Sequence, residues 1–382
     1  MIKHILALFV VLFVRALRPL FLIRFGALPT SSIGSLALEV ELYLCECDAG
    51  MKGRRTVDIF YSTGLVVNEY LESMWGRILH KSRFAQALDR ANKKLPASGP
   101  HQVPWRRRGS LDIHGLLANT EPHLFFTDEE ERRGQIFLRE VGVPDGAPFI
   151  CFHARDPAYV ASVMPELDQA NSLDHNINVQ DFFPAVEALA GRGNYGLRMG
   201  AIVQRQLPPT GPMIIDYATR GRSDFLDMYL LAKCRFFLGC ASGIIFVPMT
   251  FRRPLVLTNF VVMDRVPAWS PDYLFIPKKL WSAEKQRLLT FREMLELLTL
   301  GAEHWVMTFE ESGITGIDNS PEEITAVALE MDQRLDGTWE SSDEDEELQR
   351  QFWSLFKPSP WNRFFACRIG TEFLSQNKEL LD

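Results

Sequence analysis

The sequence predicts an α/β protein with two Rossmann-like domains, and three observations lead there. Strand-like apolar runs alternate with helical patterns in both halves of the chain, which calls for parallel sheets with right-handed crossovers. At 382 residues the chain exceeds what one hydrophobic core usually organises. In the second half, four strand-favouring residues, Phe149 to Phe152, run straight into the polar cluster His153-Ala-Arg155-Asp156. Open α/β sheets bind ligands beyond the carboxyl ends of their strands, so this cluster is a candidate site.

The first element is Ile5 to Val14, ten apolar residues followed by Arg15 and Arg18, with no acidic residue before Glu39. Ten residues are too few to span a bilayer, which takes about 20. Arg15 to Pro19 stands where a signal peptide would carry its small-residue cleavage site. Residues 1–18 therefore read as a helix lying on an anionic membrane face, with packing on the protein itself as the alternative. The first reading makes the protein peripheral on the cytoplasmic, inner face of the cell membrane.

Leu20 to Phe25 reads as a strand, Gly26 to Gly34 as a loop and Ser35 to Cys47 as a helix, the opening of a Rossmann-like unit. Ser32 and Gly34 are its candidate acceptor-side residues, although close packing explains Gly34 equally well. Thr56 to Tyr61 is a second strand, and Val66 to Leu79 has helical period. Residues 93–110, with Pro96, Pro100 and Pro104, are loop-like. Trp105-Arg-Arg-Arg108 within them is either a contact for head groups or an acidic acceptor, or a solvated basic turn. Thr127 caps a helix whose acidic first turn, Asp128 to Glu131, complements the helix dipole. The break Pro144 to Pro148 ends a first domain of residues 19–145; a second runs over 146–335, and 336–382 form a closing helical segment.

In the second domain Val179 to Ala190 reads as a helix and Gly193 to Gly200 as a short strand with Arg198 near its end. Pro212 to Asp216 is another strand, Ser223 caps a helix through Ala232, and Arg235 to Cys240 is a further strand. Ala241-Ser-Gly243 opens a helix to about Met249, and Pro254 to Asn259 reads as the last strand. Pro321 to Leu335 is a helix begun by proline and acids. Ser342 to Glu347 looks like the cap and acidic first turn of one more, through Phe356, which explains the acidic run without a metal.

Arg155, Arg198 and the Ser242-Gly243 turn all fall at carboxyl ends of strands in one sheet. Two guanidiniums and a helix N-terminus neutralise a diphosphate. His153 suits a general base or a phosphate donor. Asp156, Asp216, Asp224 and Asp227 are further acid–base candidates, the last two with an ordinary role as first-turn acids. No His–carboxylate cluster, GxxxxGK[ST] or GxSxG stands out, which weighs against a metal site, P-loop NTPases and serine hydrolases, and no cofactor is expected. A net charge of -7 argues against a general nucleic-acid binder. The six cysteines show no CxxC pair, in keeping with a reducing compartment.

The chain resembles the glycosyltransferases of bacterial surface-polysaccharide gene clusters. The resemblance rests on Ile33-Gly-Ser-Leu-Ala37 with Glu41-Leu-Tyr-Leu44, Phe152-His-Ala-Arg-Asp156, Leu197-Arg-Met-Gly200 and Asp216-Tyr-Ala218. Asp224 to Leu230, Phe236 to Gly243 and Asp318 to Ile324 extend it over most of the chain. The His-x-Arg element is also similar to fucosyltransferases of the peptide O-fucosyl and nodulation type, where the arginine binds the diphosphate of the donor. The resemblance implies a GT-B fold, with two Rossmann-like domains facing a cleft, a nucleotide-diphosphate sugar donor on the second domain and no obligatory metal. It further implies a glycan or lipid-linked glycan acceptor on the first domain, and a C-terminal helix returning to that domain. His175 and Asn178 depart from the family pattern, which has an arginine and an acid there, so a catalytically silent nucleotide-sugar-binding partner is the alternative, and an epimerase a further one.

Overall fold

The structure, a computed structural model, describes residues 2–53, 55–105, 112–163, 177–209, 211–300, 313–357, 363 and 365–381. The basic turn at 106–108 and His175 lie outside the described residues. The chain divides into two compact units. The first holds the described residues of Met1–Ser110, Leu116–Phe126 and Thr250–Arg252; the second holds the rest.

In the first unit β1 (Leu22–Ala27) pairs in parallel with β2 (Thr56–Tyr61), Leu22 opposite Thr56. Single parallel bridges, Phe25 to Gln102 and Phe60 to Lys81, extend this pair on either side. Among the described residues this is a smaller sheet than a full Rossmann-like domain would have. The reason lies in the chain after Tyr61, which holds no run of four apolar residues as far as Trp105 and forms the short helices Glu69–Gly76 and Ala85–Lys93 instead. The strand pair is tied by Arg24, whose Nε and Nη2 lie 2.7 and 2.8 Å from the two oxygens of buried Asp58. The expected helix over Ser35 to Cys47 is present as a wide turn, Ser35–Glu39, running into Val40–Asp48.

The first helix runs Ile2–Ala16. Ala7, Val11 and Val14 are its buried residues, it packs on the helix Ala85–Lys93, and the Arg15 guanidinium donates to Asn92 Oδ1 at 2.8 Å and Pro96 O at 2.7 Å. Packing on the protein thus accounts for one of its faces. No helix among the described residues is long and apolar enough to cross a membrane.

The second unit is built on a parallel sheet of seven strands. These are β3 (Phe149–His153), β4 (Tyr195–Arg198), β5 (Ile214–Ile215), β6 (Phe237–Cys240), β7 (Leu255–Phe260), β8 (Tyr273–Pro277) and β12 (Arg368–Ile369). Their order is β12-β8-β7-β6-β3-β4-β5. From β3 the chain winds outward through β4 and β5, then returns to place β6, β7 and β8 on the other side. The reversal therefore falls between β3 and β6. A small antiparallel sheet of β9 (Lys279–Ser282), β10 (Arg287–Leu288) and β11 (Ile314–Ile317) follows β8.

Three expectations change here. Pro254 to Asn259 is not the last strand: Tyr273-Leu-Phe-Ile276, an apolar run the sequence reading passed over, is fully buried as β8. The described residues of 336–382 belong to the second unit, where β12 extends the sheet beside β8 and the buried ring of Phe352 meets Phe291 and Phe275, with centroids 5.1 and 5.9 Å apart. The boundary expected after residue 145 moves to Thr127, because the helix Asp128–Glu140 packs inside the second unit. Its Gly134 lies so close to the Tyr229 ring that a Cβ there would meet it at 2.1 Å.

Three helices begin as their sequences require, with reciprocal capping boxes at Thr127–Glu130, Ser320–Glu323 and Ser342–Asp345. Thr127→Ala removes one acceptor for an otherwise unsatisfied N–H and is expected to cost about 1 kcal/mol. Calorimetry should show this as a loss of about 2–4 °C in the unfolding midpoint of the second unit.

Candidate functional site

The site begins at the end of β3, where His153 stands in register with Gly239 of β6. The two strands approach so closely that a Cβ on Gly239 would meet the His153 carbonyl oxygen at 2.7 Å, so glycine is required. The Arg155 backbone N–H donates to Cys240 Sγ at 3.2 Å, tying the loop after β3 to the end of β6. Ser242, in extended conformation, then opens the tight turn Gly243–Ile245, which runs into the helix Phe246–Thr250. Its hydroxyl donates to Cys240 O at 3.4 Å. His153, Arg155 and Ser242 are each half-buried and Gly243 is exposed. All four sit where the strand order reverses, the place at which an open α/β sheet leaves a crevice for ligands.

His153 Nδ1 lies 3.1 Å from the Met199 carbonyl oxygen. A carbonyl can only accept, so the proton of the neutral ring sits on Nδ1 and Nε2 keeps a lone pair. Burial, opposed by the Met199 contact and reinforced by the charges of Arg155 and Arg198, pushes the pKa of the ring down to about 4. At neutral pH His153 is an uncharged acceptor, competent to take a proton.

Arg198, Asp156 and Asp216 occupy a different role from the one expected. Arg198 is 4% exposed; its Nη1 donates to Arg205 O at 2.7 Å and lies 3.5 Å from Asp216, and its Nη2 lies 3.8 Å from Asp156. Asp156 also accepts from the N–H groups of Ala158 at 3.0 Å and Gln204 at 2.9 Å. Asp216 accepts from Leu207 N–H and the Thr219 hydroxyl, both at 2.9 Å. One buried cation between two engaged carboxylates is a closed network that shapes the loop after β4. Arg198 and Asp216 as ligand contacts, and Asp156 as a catalytic group, give way to positioning roles.

The remaining candidates are local ties. Buried Asp227 accepts from the Tyr217 hydroxyl at 2.8 Å and Arg222 at 2.6 Å, and burial lifts its pKa to about 6. Asp224 lies 3.5 Å from Arg222. In the first unit the Ser32 hydroxyl accepts from Ser35 N–H at 3.4 Å, and Gly34 is buried in ordinary right-handed helical conformation. Asn178 accepts from Gln180 N–H at 3.1 Å and caps the turn Val179–Phe182.

Sequence reasoning missed a cluster in the first unit. Donor atoms of Glu41, Cys45 and His123 lie within 4.8 Å of one another. The signal was the spacing of Glu41 and Cys45 on one helical face. The set is filled by the protein's own cations: Arg252 Nη2 is 2.7 Å from Glu41 Oε1, and His123 bridges Glu41 at 3.2 Å and Asp48 at 3.0 Å. Contacts with Cys45 and Glu41, then Asp48, raise the pKa of His123 to about 10. In this structure the three groups form an ion-pair cluster with Arg252 and Asp48.

A cavity of about 630 Å³ lies at the amino ends of the central strands, around Pro148 and Phe149 at the start of β3. Its cations are already engaged, Lys233 with Glu131 at 2.6 Å and Arg235 with Asp332 and Asp336 at 3.1 and 2.5 Å. It offers an anion less than the crevice does.

The fold defines a class: an α/β protein with a doubly wound parallel sheet and an open switch point. No family model matches the chain, and no curated protein matches it. Solved structures similar to it include the glycosyl transferase family 9 from Veillonella parvula DSM 2008, at 12% identity and TM-score 0.44, over 67% of this chain and 86% of that one. The E. coli ADP-heptose lps heptosyltransferase II matches at 12% identity and TM-score 0.44, over 82% of this chain and 98% of that one. Likeness at these values carries no argument about activity.

Proposed function

We propose that the protein is a glycosyltransferase that takes a sugar from a nucleotide-diphosphate donor. The observation that carries this is that His153 at the end of β3, Arg155 in the loop after it and the Ser242-Gly243 turn after β6 all fall at the reversal of strand order. Arg155 and the N–H groups of the turn hold the donor's diphosphate and stabilise the charge that develops as it leaves. The acceptor oxygen bonds to the anomeric carbon, the bond from that carbon to the diphosphate breaks, and His153 Nε2 receives the hydroxyl proton. Arg198, Asp156 and Asp216 keep the loop beside His153 in place. The charge compensation is supplied by the chain, in keeping with a metal-independent, GT-B-type enzyme. A glycan or lipid-linked glycan of surface-polysaccharide synthesis is the acceptor, held by the first unit. The protein works at the inner, anionic face of the cell membrane.

A calorimetric screen of nucleotide sugars followed by a transfer assay tests this. His153→Gln is expected to leave donor affinity within about threefold and to lower transfer by about 10²–10⁴-fold, the usual worth of a positioned base. The pKa of His153, followed by NMR, should rise when the anionic donor binds beside it. Donor binding without a product on any acceptor would instead mark a silent binding partner.

A further inference from the structure

The helix Ile2–Ala16 is apolar on the face it does not pack. Ala7, Val11 and Val14 are 6, 0 and 8% exposed, whereas Leu6, Phe9 and Phe13 are 63, 66 and 64% exposed. With Ile5 and Leu12 these three lie opposite the packed stripe, where a surface helix ordinarily carries polar side chains. Leu20 and Phe21, 56 and 44% exposed, continue the patch past the helix end. Contiguous apolar surface of this kind marks an interaction site.

Beside Leu20 and Phe21 lies an open cavity of about 380 Å³ whose lining includes Arg18 and Arg55. Both arginines are exposed. Among the described residues neither guanidinium has a carboxylate partner, whereas neighbouring Arg24 and Lys52 share Asp58. The first acidic residue of the chain is Glu39, so the patch carries apolar and cationic groups together.

We propose that this cavity is a head-group site for an anionic phospholipid. The apolar face of the helix enters the boundary between head groups and acyl chains, and Arg18 and Arg55 take the lipid phosphate, which guanidinium forks match bidentately. An anionic lipid satisfies both features at once, its phosphate meeting the arginines and its acyl chains the apolar face. The inference rests on the membrane part of the proposed function and is independent of sugar transfer.

Flotation of the full chain with phosphatidylcholine vesicles, with and without phosphatidylglycerol, provides the test. Wild type is expected to bind the anionic vesicles about tenfold or more tightly, as two arginines near the surface imply. Arg18→Gln with Arg55→Gln should bind both vesicles equally, and Phe9→Glu with Phe13→Glu should bind neither, each with an unchanged unfolding midpoint. A retained preference for phosphatidylglycerol in the arginine variant would overturn the head-group site. Undiminished flotation of the phenylalanine variant, or dimerisation of wild type without vesicles, would overturn the membrane face. Displacement from vesicles by inorganic phosphate at equal concentration would assign the cavity to free phosphate.

Discussion

Arg155→Ala is expected to weaken binding of a nucleoside diphosphate by about 100-fold. Hydrogen bonds to charged groups contribute roughly 1.5–3 kcal/mol, and each 1.4 kcal/mol is a factor of ten. Arg155 is half-buried at the switch point, and its backbone N–H fixes the loop through Cys240 Sγ at 3.2 Å. That backbone bond survives the substitution. Arg155→Lys should recover part of the affinity, because the charge stays while the fork is lost. Arg198→Ala is the control with the opposite signature. It leaves Asp156 and Asp216 facing each other without their shared cation, so the unfolding midpoint should drop. Calorimetric affinities beside unfolding midpoints for the three variants separate the roles. Unchanged affinity in Arg155→Ala would remove the phosphate site from the end of β3.

The second unit was legible wherever short-range chemistry decided the outcome. Apolar runs bounded by turns marked β3, β6 and β7, and Thr127, Ser223 and Ser342 marked helix starts, because a cap depends only on its own turn. The alternation and right-handed connections pointed to one parallel sheet, but the placing of β3 and β6 side by side depends on the crossover order, which no local pattern gives. Sequence reading failed where one residue type serves two ends. An arginine after a strand looks the same whether it faces solvent, as a ligand contact, or lies buried between carboxylates, as Arg198 does. Several segments singled out by the family resemblance proved to be internal ties. Asp216-Tyr-Ala218 and Asp224 to Leu230 meet as Tyr217 donating to Asp227, and Asn319 exchanges hydrogen bonds with Asn259 at 2.5 and 2.7 Å. Glu41 owes its place to Arg252, which is 211 positions away in sequence; no local pattern announces such a pair.

Glu41→Gln is expected to destabilise the first unit by about 3–5 kcal/mol, the cost of removing one partner from a buried ion pair. Glu41 is fully buried, and its loss takes the carboxylate partner from Arg252 and leaves protonated His123 with Asp48 alone. Arg252 has a left-handed backbone, φ 57°, which costs a non-glycine residue energy. Its side chain offsets this by donating to Leu117 O at 2.9 Å and Thr120 Oγ1 at 3.1 Å as well as to Glu41. The same cluster gives the unit a pH dependence of known sign. The pKa of His123 is raised from 6.5 to about 10, so its contribution is complete below pH 6.5 and fades as pH rises towards 10. His153 acts in the other direction: with its pKa lowered to about 4, its contribution is complete above pH 6.5 and is lost as pH falls towards 4. Acid should therefore weaken the second unit first and alkali the first. Calorimetric scans across pH, with His123→Gln and His153→Gln each abolishing one slope, would show it; a Glu41→Gln variant as stable as wild type at pH 7 would mean that the cluster contributes nothing.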